Sequence, residues 1–514
     1  AGLPQGYTIF FAFVRDHLPG GLLTFGIELM VRVFSGLGLR VDTAAKSAET
    51  ALAVILFLGI GAVAGLLYSL LRHRPAFSDG GTVGLAWWVV TLVLYAIPRL
   101  DDIASLVMPA LWFGIVFMFW GLALGRWFKA VADVPASGIP AFGDVNPERR
   151  QFLARSLGVI AVVTLGSVGL GYILNRGKLN ASDAAALTPD LPSSGASGAA
   201  ASAATLPATG PTATGTASAF VPAPGTRAEL TPLDRFYRTD IDLGDVPEMD
   251  TTVWTLTLGG LVNTPFILNY DDLLKLPYVE QEATLECISN DLGGGLISET
   301  RWRGVKLADL LTKAGLKPGV VEIKFTCNDG YTESLPLASA LDERTLVAYG
   351  MNGKPLTMVH GFPARLYVPN RYGMKSPKWM ETIEAVGQPF GGYWEQRGWD
   401  KEAVVKTTAV IDTDTVDSQQ NPTVPIGGIA FAGARGISRV EVSIDGGKWQ
   451  EAVLKESLSP LTWRLWRFES HMSAGLHRVQ VRATDGEGKL QTVDRRAPHP
   501  NGASGYHTKS ITVV

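Results

Sequence analysis

The sequence predicts a multidomain chain with N-terminal transmembrane α-helices, then an α+β domain, then an immunoglobulin-like β-sandwich. Long apolar runs are confined to residues before Leu174, whereas the sequence after Arg227 mixes charged, aromatic and β-branched residues as soluble domains do. Beyond Lys406 the apolar residues alternate with polar ones, which is typical of half-buried strands. A chain of 514 residues is also too long for a single core.

Four mostly uncharged apolar runs, residues 51–71, 83–97, 104–124 and 152–174, are long enough, or nearly so, to cross a bilayer. A fifth stretch, 18–39, carries Glu28 and Arg32 four residues apart. It is either a span with an internal ion pair or a helix at the membrane interface, and we favour a span. Residues 1–176 are therefore predicted to form four or five spans, with membrane lipid as a partner.

Basic residues set the predicted orientation of this membrane domain. Arg126 and Lys129 follow the third strong span, and Arg149 and Arg150 precede the last one. The positive-inside rule makes these loops cytoplasmic, so the chain leaves the last helix on the outer side. The Arg149-Arg150 pair resembles a twin-arginine export motif; the alternative is two ordinary positive-inside arginines. Either interpretation predicts a multi-pass protein of the cell membrane with its soluble half on the periplasmic or outer face.

A low-complexity segment separates the two halves. Between residues 181 and 225, 38 of 45 residues are Ala, Gly, Ser, Thr or Pro. Such a composition cannot bury enough apolar surface to fold. We therefore predict that residues 177–229 form a disordered linker.

The soluble half divides near residue 404. Short apolar runs at 254–258, 323–326 and 365–368 alternate with a helical pattern at 307–314, which predicts an α+β domain over residues 230–404. Further on, Val440, Val442 and Ile444 alternate into the turn Asp445-Gly446-Gly447, and a similar run ends at Asp485-Gly486. Repeated hairpin signals of this kind predict a sandwich over residues 405–514.

Charge and cysteine content exclude several classes of function. The net charge is -3 and no long basic run occurs, so a nucleic-acid partner is not expected. Cys287 and Cys327 are the only cysteines, too few for a disulfide framework or a cysteine-rich metal site. His17 and His73 are the only histidines in the membrane half, so we expect no haem in this chain.

The most unusual segment of the soluble half surrounds Cys287, which is followed by the glycine run Gly293-Gly294-Gly295. Glycines there allow a bulky group to approach the backbone. The residues by themselves also allow a buried structural cysteine, or a disulfide to Cys327 in an oxidising compartment.

A series of motifs with consistent order and spacing follows this cysteine. They are Cys287-x-x-Asn290, Trp302-x-Gly304-Val305, Asn352-Gly353-x-Pro355, His360-Gly361-Phe362-Pro363-x-Arg365 and Gly373-Met374-Lys375-Ser376-Pro377-Lys378-Trp379. The series resembles the sulfite oxidase family of molybdopterin enzymes over about residues 236–514, and not in the membrane half. The resemblance implies that 230–404 is a sulfite-oxidase-type molybdopterin domain with molybdenum as its metal.

The resemblance also implies the roles of individual residues. Cys287 would be the metal ligand, since a high-valent metal bound by dithiolene sulfurs takes a further soft thiolate. A pterin phosphate needs cations and directional donors. The implied cofactor contacts are Tyr237, Arg238, Cys287, Asn290, Asp329, His360, Arg365, Lys375, Ser376 and Lys378. For Arg365 and Lys375 the alternative is a solvated surface. Cys327 has no family counterpart and is interpreted as a small buried residue.

The sequence departs from the family at the substrate pocket. Only residues 291–296 separate Asn290 from the Ile297-Ser298 motif, where sulfite-oxidising members carry a longer basic loop. Trp399 stands where those members have a tyrosine, and an indole cannot replace a phenol. We predict Cys287, Arg238, Arg435 and Trp399 as the catalytic set, with the two arginines positioning the substrate anion; Arg435 could equally be an ordinary loop arginine.

Three functions follow. The first is two-electron oxygen-atom transfer to a small oxyanion or sulfur compound, as in a sulfite dehydrogenase. The second is reduction of a sulfoxide or an oxyanion such as nitrate. The third is a non-catalytic or accessory, cofactor-bearing subunit of a membrane electron-transfer complex. An enzyme of either direction needs a separate redox partner, such as a cytochrome or a membrane electron-transfer complex, because the chain has no second redox motif.

Overall fold

The computed structural model describes residues 77–96, parts of 110–126, 220–241, 246–416 and 423–514. These residues belong to two compact units, one comprising the described residues between 77 and 126 and the other those from 220 onward. Each unit is described by itself below.

The first unit contains helix α1, Phe77–Ala96, and helical residues between 110 and 126 that run antiparallel to it. Glycines allow the two backbones to meet. A Cβ placed on Gly80 would lie 2.2 Å from Gly125 N, and one on Gly84 would lie 2.5 Å from Phe117 O. At the other end the Trp88 indole donates a hydrogen bond to Ala110 O at 2.9 Å. Any larger residue at Gly80 or Gly84 would separate the helices.

Large apolar side chains cover the outer surface of this helix pair. Seven of them each keep at least 45% of the residue's surface exposed to solvent. They are Leu85, Val89, Val90, Val93, Leu111, Ile115 and Met118. Within the described residues, no helix combines the length and apolar character required to cross a membrane. The helix predicted at 83–97 is present as part of α1, but α1 does not meet these requirements for a membrane span. The predicted spans 51–71 and 152–174, the stretch 18–39 and the arginine pair at 149–150 lie outside the described residues.

The first sheet of the soluble unit has five strands in the order β2-β1-β10-β5-β6. Its strands are β1 (Thr255–Gly260), β2 (Phe266–Asn269), β5 (Glu322–Cys327), β6 (Thr332–Pro336) and β10 (Met380–Val386). Only the β1–β10 pair is parallel. Helix α2 (Tyr270–Lys275) follows β2 and is capped by Asn269. The strands predicted at 254–258 and 323–326 are confirmed as β1 and β5.

The second sheet carries the segments that surround Cys287. It consists of β3 (Val279–Glu286), β4 (Ile297–Lys306), β7 (Leu346–Met351) and β8 (Lys354–Pro355), with β9 (Arg365–Tyr367) paired to β7. Helix α3, Leu307–Ala314, begins and ends at the predicted residues; its buried positions Leu307, Leu310, Leu311 and Ala314 follow the helical repeat. It ends because Gly315 adopts a left-handed conformation. The short helix α4, Leu337–Ala340, follows β6.

Two further sheets form the C-terminal sandwich. One has the order β11-β13-β17-β16, with β11 (Thr408–Ile411), β13 (Val424–Phe431), β16 (Val453–Leu454) and β17 (Arg464–Ser470). The other has the order β12-β19-β18-β14-β15, with β12 (Thr415–Val416), β14 (Ile437–Ile444), β15 (Gln450–Glu451), β18 (Gly475–Asp485) and β19 (His507–Val513). Trp466, Val440 and Val481 pack in one core between them. The turn predicted at Asp445-Gly446-Gly447 follows β14, with Asp445 and Gly446 both at positive φ.

The end of the predicted linker is folded onto this sandwich. Ala223 is buried, and Arg227 forms an ion pair with Asp412 at 2.7 Å while its guanidinium lies over the Trp463 ring. Residues 220–229 were predicted to be disordered, and that prediction is wrong for these ten residues. Small residues dominate the composition of 181–225, so the few larger residues that anchor its end form no periodic pattern from which a folded segment could be predicted.

The segment that precedes β17 of the sandwich is also hydrogen-bonded to β3, the edge strand of the second sheet. Thr284 N on β3 donates a hydrogen bond to Leu461 O, and Trp463 N donates to Thr284 Oγ1 at 2.9 Å. The Glu299 carboxylate is fully buried here, accepting from Thr284 and Trp463. The domain predicted from 405 onward is therefore bound directly to the strands that lead to Cys287.

Candidate active site

Cys287 is the first residue of the loop that joins β3 to β4. Its backbone N–H donates to Leu296 O at 2.9 Å, which closes the loop at its base. The Asn290 side chain spans the interior, donating to Glu286 Oε1 at 2.9 Å and accepting from Leu296 N at 2.9 Å. Antiparallel pairing of Glu286 with Ile297 fixes both ends. The backbone around the cysteine is thus held on all sides.

The Cys287 thiol belongs to an apolar cluster and has a polar neighbour, the Ser289 hydroxyl. Cys287 is 7% exposed, and its Sγ lies 3.0 Å from Ser289 Oγ. Burial raises the pKa of the thiol, and hydrogen bonds from Ser289 oppose that shift. Cys287 and Cys327 are both free thiols, so the disulfide between them that the sequence allowed is not formed.

The turn Phe236-Tyr237-Arg238 lies next to this thiol. Tyr237 N donates to Ser298 Oγ on β4 at 3.0 Å, and the Phe236 ring stacks on Tyr237 with centroids 5.6 Å apart. Burial raises the pKa of the Tyr237 phenol, and the charges of Cys287 and Arg365 are close enough to act on it. The structure therefore brings Tyr237, Cys287 and Arg365 together.

Arg365 is a buried cation without a counter-charge. It is 5% exposed and donates to the backbone carbonyls of His360 and Ser376, each at 3.1 Å. Its Nε has no hydrogen-bond partner, and no carboxylate pairs with it, among the described residues. Burial lowers its pKa to about 10. Because an unpaired buried guanidinium is costly, this position fits an anionic group supplied from outside the chain.

His360, Lys378 and Arg238 extend the same positive region. Lys378 Nζ lies 3.1 Å from Val359 O and 3.3 Å from Asp240 Oδ2, and Arg238 Nε lies 2.6 Å from the same carboxylate oxygen. Burial and the charges of Lys378 and Arg365 lower the pKa of His360 to about 3, so its imidazole is neutral at pH 7. Arg238 and Lys378 thus share Asp240 as their hydrogen-bonded carboxylate, whereas Arg365 has no such partner among the described residues.

Ser376 and Asp329, two other predicted cofactor contacts, form hydrogen bonds with the backbone at the edge of the site. Ser376 accepts a hydrogen bond from Val368 N through its hydroxyl, besides receiving Arg365 at its carbonyl. Asp329 accepts from Tyr331 N in a tight turn, and burial raises its pKa to about 6. The charge of Lys378 acts on Asp329, which places Asp329 at the edge of the positive region.

Lys375 has a different environment from the one predicted. It is 1% exposed, and its Nζ contacts Glu333 Oε1 at 2.8 Å and the Glu395 carboxylate. Its charge is already balanced by these two glutamates, which no motif of the sequence marks as its partners. We therefore leave Lys375 out of the proposed cofactor contacts, since it connects β6, the 373–375 turn and residues 395–397.

Arg435 is similarly occupied. Its guanidinium donates to Asp485 at 3.0 Å, to Asn370 Oδ1 at 3.2 Å and to Val405 O at 3.0 Å. These bonds join the sandwich to the catalytic domain. These contacts favour the alternative of a structural loop arginine. The charges of both Arg435 and Cys287 nevertheless act on the pKa of Tyr372.

Trp399 lies in the apolar cluster that also contains Ile288, the neighbour of Cys287, and Tyr372. It is 8% exposed and packs edge-on against Trp394 and His499. Its indole N–H has no hydrogen-bond partner among the described residues. Asp240, Glu286 and Tyr372 are further residues of the site that the sequence did not indicate, because their contacts depend on distant segments. Only the position of Glu286 next to Cys287 offered a signal.

Comparison with known proteins identifies two domain families in the soluble half. A family described as the oxidoreductase molybdopterin binding domain matches residues 243–394, and one described as the Mo-co oxidoreductase dimerisation domain matches residues 399–496.

Individual relatives cover the same region. The chain is 36% identical over 157 residues to the uncharacterized oxidoreductase YuiH of Bacillus subtilis, covering 30% of this chain and 77% of that protein. It is 30% identical over 275 residues to the sulfite oxidase of Arabidopsis thaliana, covering 43% and 70%. It is 31% identical over 291 residues to the mitochondrial sulfite oxidase of Rattus norvegicus, covering 46% and 52%, so the chain spans about half the length of that enzyme.

Among solved structures, the sulfane dehydrogenase SoxCD from Paracoccus pantotrophus is similar with 23% identity and a TM-score of 0.48, covering 56% of this chain and 84% of that one.

Proposed function

Because the chain belongs to the sulfite oxidase family of molybdopterin-dependent oxidoreductases, we propose that it oxidises a small sulfur oxyanion such as sulfite. The family membership makes it an enzyme with a molybdenum cofactor, which argues against the non-catalytic alternative. The substrate, the direction of the reaction and the place of the chain in the cell are our proposals.

The buried, unpaired Arg365 beside Cys287 and Tyr237 is the observation that carries the assignment of the cofactor site. In this proposal Arg365 and Lys378 bind the anionic part of the pterin, Cys287 ligates molybdenum through its thiolate, and neutral His360 offers a hydrogen bond without charge. When bound, the cofactor supplies two-electron oxygen-atom transfer.

The protein's own part in the reaction is to bind and orient. One sulfite and one water give one sulfate, two protons and two electrons, so two electrons must pass to a separate redox partner such as a cytochrome. Arg238, whose guanidinium is aligned by Asp240 at 2.6 Å, is the candidate for neutralising the substrate anion. Arg435 would act through the domain junction, by holding Asn370 at 3.2 Å, rather than on the substrate.

A reductase acting on a sulfoxide or an oxyanion is the second candidate. Two features favour it: the short loop 291–296 gives a less enclosed anion pocket, and Trp399 cannot supply a phenolic proton. The same bound cofactor can run in either direction, so the direction depends on the residues around the substrate.

We also propose that the chain is a multi-pass membrane protein with its catalytic domain on the extracytoplasmic face. Glycine-mediated backbone contact, as at Gly80 and Gly84, is common where helices pack in lipid, and the exposed apolar residues of the helix pair would face acyl chains. The basic residues Arg126, Arg149 and Arg150 support the orientation.

Two experiments test these proposals. Protein from molybdenum-replete cells is assayed for metal and pterin, then for sulfite oxidation with ferricyanide and for nitrate or sulfoxide reduction with reduced viologen. We expect about one molybdenum per chain, because each chain has one Cys287 site, and oxidation of sulfite. Finding zinc or no metal would overturn the proposed molybdenum site. Turnover only in the reducing direction would overturn the proposal that the chain oxidises sulfite.

Protease treatment of intact spheroplasts tests the location. Cleavage of the 181–225 segment from outside is expected, whereas protection until lysis would overturn the proposed orientation.

A further inference from the structure

A long loop of the sandwich, residues 486–506 between β18 and β19, lies against the catalytic domain. Asp400 N donates to Pro500 O at 3.0 Å, and Lys406 Nζ donates to Gly502 O at 2.7 Å. A Cβ built on Gly505 would lie 3.2 Å from Leu292 Cδ1, in the loop that follows Cys287. This sandwich loop therefore contacts both the segment after Trp399 and the cysteine loop.

His499 of the sandwich loop packs directly on Trp399. The two rings are 5.1 Å apart between centroids and inclined at 83°. Trp399 Nε1 and His499 Nε2 are both sealed from solvent, and neither has a hydrogen-bond partner among the residues that the structure describes. A buried polar atom left without a partner costs about 1–3 kcal/mol, so two in neighbouring rings require an explanation.

The position of this pair relates it to the active site. Trp399 shares an apolar cluster with Ile288, which follows Cys287 directly, and with Tyr372. The charge of Cys287 acts on Tyr372. Through Trp399, the pair thus shares a cluster with the start of the cysteine loop, and residues 291–296 of that loop are too few to form the longer basic loop of sulfite-oxidising members.

We propose that His499 is a specificity-determining residue that, together with Trp399, binds oxygen atoms of the substrate oxyanion. This rests on the proposed function and extends it, because it assigns part of the substrate pocket to the sandwich. Both nitrogens can donate to an oxygen: the indole N–H always, and the imidazole in its Nε2–H tautomer or when protonated. A sulfur oxyanion offers several acceptor oxygens and would satisfy both donors at once.

Both nitrogens are sealed in the described structure, so binding requires the His499 side chain to rotate. His499 is the partly buried member of the pair, and we expect it to be the one that moves. A purely structural role, in which His499 and Trp399 pack as aromatic rings, makes the opposite prediction for substitutions. Packing requires the ring and not the nitrogen, whereas anion binding requires the nitrogen and not the ring.

The experiment compares His499→Phe with His499→Gln in the cofactor-loaded full chain. Phe keeps the ring and removes the donor, while the Gln amide keeps an N–H near the Nε2 position. We expect His499→Phe to raise the KM for sulfite about tenfold, the effect of losing one hydrogen bond to an anion, with kcat changed less than threefold. His499→Gln should recover most of that loss. Trp399→Phe, which removes the indole N–H together with part of the ring system, should raise the KM in the same way.

His477→Phe is the matched control, since His477 lies at the opposite end of β18 and pairs with Asp445 at 2.7 Å. It should leave the KM unchanged. Sulfate binding, measured by isothermal titration calorimetry, provides a readout that does not need turnover. We expect the wild type to bind sulfate and His499→Phe to bind about tenfold more weakly.

The outcomes separate the two proposals. If the wild type binds sulfate without oxidising sulfite, and His499→Phe weakens binding, the proposed function fails while the anion site stands. If sulfite is oxidised but His499→Phe matches the wild type, or Gln is worse than Phe, the pair is packing only and the inference is overturned. Absence of sulfate binding by the wild type would also overturn it, whatever its activity.

Discussion

The carboxamide nitrogen of Asn290 donates a hydrogen bond to Glu286 Oε1 at 2.9 Å, across the base of the loop that carries Cys287. Since Asn290 also accepts from Leu296 N, its side chain holds both ends of that loop. Asn290→Ala should lower the free energy of unfolding by about 1–3 kcal/mol, because the Leu296 N–H and the Glu286 carboxyl group lose their partners. Thermal unfolding measures this. Asn328→Ala, which removes one exposed bond to Glu381, is the control and should change stability by no more than about 0.5 kcal/mol.

Cys287→Ser should abolish activity and bound molybdenum while preserving the fold, because a hydroxyl is a poor substitute for a soft thiolate. Cys327→Ala provides the comparison, as Cys327 is equally buried but lies at the end of β5. It should retain metal and activity. The measurements are molybdenum content and far-ultraviolet circular dichroism. Full metal occupancy in Cys287→Ser would contradict its role as ligand.

Arg365→Met should leave the cofactor-free protein as stable as the wild type, within about 1 kcal/mol, or make it more stable. Replacing a buried charge that has no carboxylate partner with an apolar side chain removes a desolvation cost. The same substitution should lower pterin content sharply in protein from cofactor-producing cells. Unfolding of the cofactor-free protein and pterin fluorescence after oxidation measure the two effects. A strongly destabilised, pterin-replete variant would show that Arg365 is structural.

Lys375→Met should behave in the opposite way. The substitution leaves Glu333 and Glu395 buried without their cation, and breaking such a pair typically costs about 3–5 kcal/mol. Denaturant unfolding of the cofactor-free protein should therefore show a large loss of stability. If Lys375→Met lowered pterin content without lowering stability, Lys375 would be a cofactor contact after all.

Glu299→Gln should stabilise the protein increasingly as the pH rises from about 5 to 8. Burial raises the pKa of Glu299 from 4.5 to about 8 in the folded state, so the folded protein holds a proton that the unfolded chain releases in this window. The wild type then loses up to about 1.4 kcal/mol of stability per pH unit from this group. Glutamine keeps the bonds to Thr284 and Trp463 without titrating. Glu343→Gln, at an exposed ion pair with Lys306, is the control and should show no such trend.

Local patterns in the sequence predicted local structure well. The helix Leu307–Ala314 follows from the spacing of its four apolar residues, and the turn after β14 follows from Asp445 and Gly446. The site could be predicted only where a motif is continuous in the sequence, as around Cys287 and Arg365. The partners of Lys375 are 42 and 20 residues away on other elements, so no local pattern could reveal that its charge is already balanced. Arg435 and Asp485, 50 residues apart, illustrate the same limit.

The attachment of residues 220–229 to the sandwich has a consequence for how the protein is made. Arg227 and its partner Asp412 are 185 residues apart, so the ribosome must complete the entire catalytic domain before the ion pair can form. Contacts of such separation close late, because the intervening chain must first be ordered. In the order of synthesis, the catalytic domain thus lies between residues 220–229 and the sandwich surface that binds them. Any chain truncated near residue 404 would leave that segment unanchored, whatever the state of the catalytic domain itself. The Arg227–Asp412 ion pair can therefore form only after translation has passed the whole catalytic domain and the first strand of the sandwich.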